Sequence, residues 1–228
     1  MPVLPKPFHA AELPILLFTH DLRQHLRTIM IQAELAIRGP EVLSSSVRLA
    51  LEEIVAAARS QEALISSVTE FEESAEATAR LSFPLNALVQ SAMLEVSTES
   101  KAKNAQVRLL PMPECSVPGC IRLVVRKLLE NSLKFHKPGQ APEIRVGGED
   151  LPGSVSLFVA DCGIGIPDKY RQLVFEPFKG LHSRSVYPGS GMGLSTCRRV
   201  VESLGGSISI EGDEKLGTLV RVLLPREN

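Results

Sequence analysis

Between Leu13 and Ser74 the chain repeats its apolar positions at alternating intervals of four and three. One series runs Ile15, Thr19, Leu22, Leu26, Ile29, Ala33 and Ala36; the second runs Val47, Leu51, Ile54, Ala58, Gln61, Ile65 and Val68. A repeat of roughly 3.5 residues is the seam of a coiled coil or helical bundle, and each series sustains it for about three heptads. Gly39-Pro40 is the strong break between them; it predicts the end of one helix and the first turn of the next. The result is a helical hairpin. Two helices alone leave apolar stripes uncovered, so the pattern predicts a partner hairpin and a dimeric four-helix bundle.

Glu72–Ala79 (EESAEATA) is polar and small, and reads as a linker between residues 1–75 and residues 76–228. Beyond it the pattern alternates between periods. Arg80–Leu85 and Ala105–Leu110 predict strands, and Pro84–Glu99 and Gly119–Lys134 predict helices. Glu143–Val146 and Ser154–Ala160 predict strands joined through GGEDLPG. Ser195–Leu204 predicts a helix, and Ser207–Glu211 with Thr218–Leu224 a closing strand pair. Helices mixed with mostly adjacent strands give an α+β sandwich with helices on one face of a sheet.

Composition narrows the function. Lys+Arg is 25 against Asp+Glu 26, a net charge of −1 that removes the electrostatic case for a dedicated nucleic-acid binder. No apolar run approaches the ~20 residues of a membrane crossing, and the N-terminus lacks the charged start and apolar core of a signal peptide. Cys115, Cys120, Cys162 and Cys197 show no metal-ligand spacing, which fits a reduced, cytoplasmic chain.

Two glycine-rich stretches carry candidate chemistry. Asp161-Cys-Gly163-Ile-Gly165-Ile follows a strand, and Gly189-Ser-Gly191-Met-Gly193-Leu194 opens a helix. Such glycines let backbone approach a ligand, and a helix N-terminus presents amides to an anion. Neither stretch fits the dinucleotide-binding fingerprint or a GxxxxGK[ST] loop. On the helix between residues 119 and 136, Lys127, Asn131 and Lys134 share one face, with Leu128, Leu129 and Leu133 on the buried side. A carboxamide oxygen suits Mg²⁺ and lysines suit phosphates.

The order ENSLKF, DCGIGIPD, FEPF, GSGMGLS resembles the ATP-binding domain of the sensor histidine kinases, part of the superfamily shared with gyrase and Hsp90. The resemblance covers about residues 80–225. KFHKPGQAPEIRV and FKGLHSRSVYPGSGMGL look like its phytochrome-type branch. The resemblance implies that Asp161 accepts the adenine amino group, with Gly163 and Gly165 shaping the turn beside the base. It implies that Asn131 holds Mg²⁺, that Lys134 lies near the phosphates, and that Gly189, Gly191 and Gly193 free the helix start near Leu194 for the phosphate chain. Phe175 and Phe178 then anchor a lid, about Lys179–Ser190. Lys127 departs from the family, which usually carries asparagine there; a charged lysine cannot ligate the metal.

FTHDLRQHL in the first helix resembles the box whose histidine is phosphorylated in those kinases. With Leu22 and Leu26 in the seam, His20 points outward. The resemblance makes His20 the phospho-acceptor, Asp21 its general base, and Gln24 the residue that positions water for dephosphorylating a partner. His25 stands where relatives carry proline; as an alternative acceptor it lacks a following acid. His182 is expected to face solvent.

The sequence thus predicts a histidine kinase core that moves the ATP γ-phosphoryl group to His20 and then to an aspartate of a response-regulator receiver domain. The alternative is a non-catalytic scaffold or phosphotransfer relay that retains the fold. Nothing before Leu13 is long enough for a sensor, so input is expected from a separate or missing sensor module.

Overall fold

The computed structural model describes residues 12–39, 43–73, 81–182, 186–187, 189–212 and 216–226. The expectations placed on Pro40, Arg80, linker residues 74–79 and lid residues 183–185 and 188 lie outside these, as do the side chains of Ile15 and Val68. The chain forms two compact units, Met1–Thr69 and Glu70–Asn228.

The first unit pairs helix α1 (Glu12–Arg38) with α2 (Ser45–Glu73). α2 starts later than Gly39-Pro40 predicts. Ser44 supplies the start: its hydroxyl accepts the Val47 N–H at 3.3 Å and its carbonyl the Arg48 N–H at 3.0 Å, an N-cap arrangement. Three side-chain bonds fix the antiparallel register. Arg23 donates to Thr69 Oγ1 at 2.8 Å, Arg27 to Glu62 at 3.2 Å and Arg59 to Glu34 at 2.7 Å.

The covered stripe of the hairpin is offset from the predicted seam. It runs Thr19, Arg23, Leu26, Met30, Ala33, Ile37 on α1 and Leu51, Val55, Ala58, Glu62, Ile65, Thr69 on α2. Leu22, Ile29, Val47 and Ile54, all in the predicted seam, are 42–47% exposed. Each helix therefore carries two adjacent apolar flanks. One meets its hairpin mate, and the other remains open.

The second unit is the α+β sandwich. Strands β1 (Ser82–Pro84) and β3 (Ser116–Pro118) form a small antiparallel pair. The main sheet runs β2 (Gln106–Leu109), β4 (Glu143–Leu151), β5 (Ser154–Asp161), β7 (Leu219–Pro225), β6 (Ser207–Glu211), with only β2–β4 parallel. Helices α3 (Leu85–Glu95), α4 (Ser97–Ala102), α5 (Ile121–Lys134) and α6 (Gly193–Ser203) complete it. β3 has no counterpart in the sequence reading, and the predicted helix 84–99 is broken at Val96 into α3 and α4. β4 runs through Gly147-Gly148 to a turn at Pro152-Gly153. Predicting a loop from GGED failed because Gly147 and Gly148 leave room for neighbours: a Cβ at Gly147 would strike the Phe158 ring, and one at Gly148 would meet Pro113 Cδ at 2.8 Å.

Strand alternation places Ile144, Val146, Val155, Leu157, Val159, Val220, Val222 and Leu224 on one buried face. They join one core with Leu128, Leu129 and Leu133 of α5 and Val200 and Val201 of α6. No helix among the described residues is long and apolar enough to cross a membrane. Leu129 is fully buried in this core. Leu129→Ala should therefore lower the stability of the second unit by about 2–5 kcal/mol, read from urea denaturation of the full chain.

Candidate functional site

Asp161 ends the inward row of β5. Val155, Leu157 and Val159 precede it at alternate positions, so its carboxylate enters where the apolar row would continue. Three donors meet it. Ser132 Oγ donates to Oδ2 at 2.9 Å, while Gly163 N–H and Thr218 N–H reach Oδ1 at 2.9 and 3.1 Å. Burial pushes the carboxyl above the usual carboxylate range, and these three donors pull the other way. A cleft of about 290 Å³ opens beside it, lined by Ser132, His136, Glu143, Cys162 and Gly163 among others.

One turn of α5 organises the rest. Ser132 holds Asp161; its neighbour Asn131 lies at the start of α6, its Oδ1 and Nδ2 only 3.6 and 3.5 Å from where a Gly193 Cβ would stand. Lys134 reaches Gly189, where any Cβ would collide with its Nζ, and the same ammonium lies 4.6 Å above the Phe135 ring. Burial lowers the Lys134 pKa from the usual lysine value, with the charge of Lys103 adding to the effect. Asn131, Lys134, Asp161, Gly163, Gly189 and Gly193 are thus gathered by one turn of helix.

The loop ahead of α6 is pinched at its base. Gly191 takes φ +74°, and a Cβ there would sit 2.9 Å from the Phe178 carbonyl carbon. Phe178 itself has φ +63° and is 52% exposed, so its backbone, not its ring, makes this contact. Phe175 is buried, with the Arg198 guanidinium 4.1 Å above its ring. Gly165 lies on the turn after Asp161, and Leu194 packs partly buried against the core. At the start of α6, Ser195 and Thr196 each return a hydroxyl to the Met192 carbonyl at 2.9 Å, and the first N–H groups of any helix have no partner within it.

Sequence reasoning missed Ser132, Thr218 and Gly217. Ser132 was legible as a polar residue on the buried side of α5. Gly217 has φ +116°, and a Cβ there would collide with the Asp161 carbonyl, so only glycine lets β7 close on that residue. Lys127 is 15% exposed and pairs with Glu130 at 3.5 Å. His182 is exposed, as expected, yet it is not solvated on both sides: its ring lies 6.0 Å from Phe135 and 5.3 Å from Tyr187.

Among the described residues no group of three or more His, Cys, Asp or Glu could hold a metal ion. Asn131 offers one neutral oxygen, which fits Mg²⁺ taking its remaining ligands from phosphate and water. On α1, His20, Asp21, Gln24 and His25 are all exposed, and His20 Nδ1 lies 3.3 Å from Asp21 Oδ1.

Residues 117–228 match the family described as histidine kinase-, DNA gyrase B- and HSP90-like ATPase. The chain is 32% identical over 208 residues to the sensor histidine kinase AruS of Pseudomonas aeruginosa, spanning 85% of this chain and 20% of that protein. It is 24% identical over 213 residues to the phytochrome-like protein Cph1 of Synechocystis sp., spanning 92% of this chain and 28% of that one. The chain therefore matches only 20% to 28% of these relatives' length. Full-length ShkA, solved in complex with AMPPNP, shares the fold at TM-score 0.69 and 19% identity, over 94% of this chain and 46% of its own.

Asp161→Asn separates binding from folding. An acid whose folded pKa is raised loses stability as pH climbs from its unfolded value towards its folded one, so at neutral pH the charged Asp161 is a cost to the fold. Asparagine removes that charge and keeps an acceptor for Gly163 and Thr218. The variant should melt no lower than the parent at pH 7 by scanning calorimetry, so that any ligand affinity it loses belongs to the site and not to the fold.

Proposed function

From the premise that residues 117–228 are a histidine kinase-, DNA gyrase B- and HSP90-like ATPase domain, in a chain related to sensor histidine kinases, we propose that this chain is the kinase core of a two-component system. Residues 76–228 bind ATP and residues 1–75 dimerise and carry the acceptor His20. The observation that supports this most is the turn of α5 on which Asn131 meets Gly193, Ser132 holds Asp161 and Lys134 meets Gly189. A carboxylate for the base, amides for the phosphates and a carboxamide between them match the chemistry of a nucleoside triphosphate.

In this reading Asp161 accepts the adenine amino group, with Gly163 and Gly165 beside the base. The start of α6 at Gly191, Gly193 and Leu194 directs amide N–H groups at the phosphates, and Lys134 adds a cation. Asn131 would hold Mg²⁺, which when bound neutralises phosphate charge. Phe175 and Phe178 fix the base of the lid. Asp21 takes the Nδ1 proton of His20, a geometry that the 3.3 Å contact supports. The Nε2 lone pair then attacks the γ-phosphorus, the bond to the β–γ bridging oxygen breaks, and ADP leaves with that electron pair. The phosphoryl group next passes to a receiver-domain aspartate, with Gln24 placed on the His20 face to orient water in the reverse role.

One observation favours the scaffold reading. An ammonium paired with Glu130, in place of a neutral carboxamide, stands one turn before Asn131. Labelling decides between them. With γ-labelled ATP and Mg²⁺ the chain should acquire an acid-labile, alkali-stable label that His20→Gln abolishes without loss of nucleotide binding. Absence of label in the unaltered chain would leave the scaffold.

The open flank of the hairpin supports a homodimer. Ile29 is 47% exposed while Ala33 is buried within the hairpin. Ile29→Glu should leave the hairpin helical by circular dichroism yet shift light scattering from a dimer to 24.8 kDa, since a carboxylate would be buried unpaired only between hairpins.

A further inference from the structure

Three rings from two distant stretches meet at the end of α5. Phe135 follows Lys134 directly; His182 and Tyr187 come from the loop ahead of α6. Centroid separations are 5.2 Å for Phe135–Tyr187, 5.3 Å for His182–Tyr187 and 6.0 Å for Phe135–His182, with interplanar angles of 43–57°. These are tilted contacts within the favourable range for aromatic pairs. The Tyr187 hydroxyl reaches toward the His136 carbonyl at 3.5 Å, a long contact that adds direction more than strength.

The face of Phe135 is shared. Lys134 Nζ lies 4.6 Å from its centroid and packs against Gly189, two residues beyond Tyr187. Phe135 is also fixed through its backbone, whose carbonyl accepts the Ile164 N–H at 3.0 Å and stands where a Gly163 Cβ would collide. The ring is therefore tied on one side to the turn after Asp161 and on the other to the loop before Gly191.

We propose that His182 and Tyr187 are positioning residues of the nucleotide site, holding Phe135 and through it the Lys134 ammonium beside Gly189, ready for the phosphate chain. The proposal rests on the ATP-binding reading and extends it to two residues outside the set assigned to the nucleotide itself. A flexible lysine loses rotamer freedom when it grips a phosphate; a ring stack that has already confined it reduces that loss.

The chain contains no Trp and two Tyr, Tyr170 and Tyr187, so Tyr170→Phe leaves Tyr187 as the sole tyrosine reporter. In that background the near-ultraviolet circular dichroism of Tyr187 should collapse on His182→Ala, without any nucleotide present. A signal unchanged by His182→Ala would overturn the ring cluster whatever the fate of the ATP reading. Calorimetric titration with ATP then tests the positioning. Tyr187→Ala should weaken ATP on the order of fivefold, as expected for losing one or two aromatic contacts, and Tyr187→Phe should restore it to within about twofold. The decisive arm is the cycle with Lys134→Ala, in which Tyr187→Ala should cost less than about twofold because the group it positions is gone. A full fivefold loss in the Lys134→Ala background, or wild-type affinity in Tyr187→Ala, would falsify the role assigned to the two rings. Failure of the unaltered chain to bind ATP would instead remove the ATP reading.

Discussion

A carboxylate placed in a hydrophobic row is the constraint around which the second unit is built. Asp161 occupies the next inward position after Val155, Leu157 and Val159, where the sheet would otherwise continue its core. An isolated charge there would be expelled or protonated. The fold answers with one donor from each of three directions: Ser132 from α5, Gly163 from the following turn and Thr218 from the approach to β7. Each neighbour then acquires a requirement of its own. Gly217 must lack a side chain so that β7 can close on the Asp161 carbonyl, and Gly163 must lack one so that the turn can pass the Phe135 carbonyl. The glycines and the serine follow from that one acid.

Much of this was legible in the sequence, though unevenly. The run Ser154–Ala160 foretold the strand, whereas the inward direction of Asp161 came only with the register of β5 against β7. The glycines of DCGIGIPD and GSGMGLS marked backbone held close to its surroundings. Ser132 and Thr218 escaped because the one acts through a common hydroxyl and the other through a backbone N–H that its residue type does not announce, and their shared partner lies 29 and 57 residues away. Likewise His182 and Tyr187 carry no local pattern; only the tertiary path of the loop brings them onto Phe135.

The hairpin shows a different limit. A heptad fixes which residues are apolar, but two neighbouring flanks can share positions such as Leu26, Ala33 and Ala58. Sequence spacing joined those flanks into one seam. Packing divides them, because Arg23, Glu34, Arg59 and Glu62 bridge the two helices along one side and Leu22, Ile29, Val47 and Ile54 fall on the other. The start of α2 was misplaced for a related reason: proline is a visible signal, whereas the Ser44 cap becomes visible only from the bonds it makes.

β5 and β7 lie side by side in the middle of the main sheet, yet a 57-residue span separates Asp161 from Thr218. That span contains Phe175, Phe178, Gly189 and Gly191 ahead of α6, α6 itself and β6. Topologically it is one large closed loop whose clasp is the strand pairing at Asp161. Joining chain ends so far apart carries an entropy penalty that grows only slowly with length, so the loop is free to vary in size while the clasp is not. Insertions or deletions between its elements, as between residues 176 and 190, can remodel what the loop contacts without moving Gly163, α6, β6 or the acid at its root. The architecture thereby separates a part of the chain open to length variation from a part whose spacing is fixed.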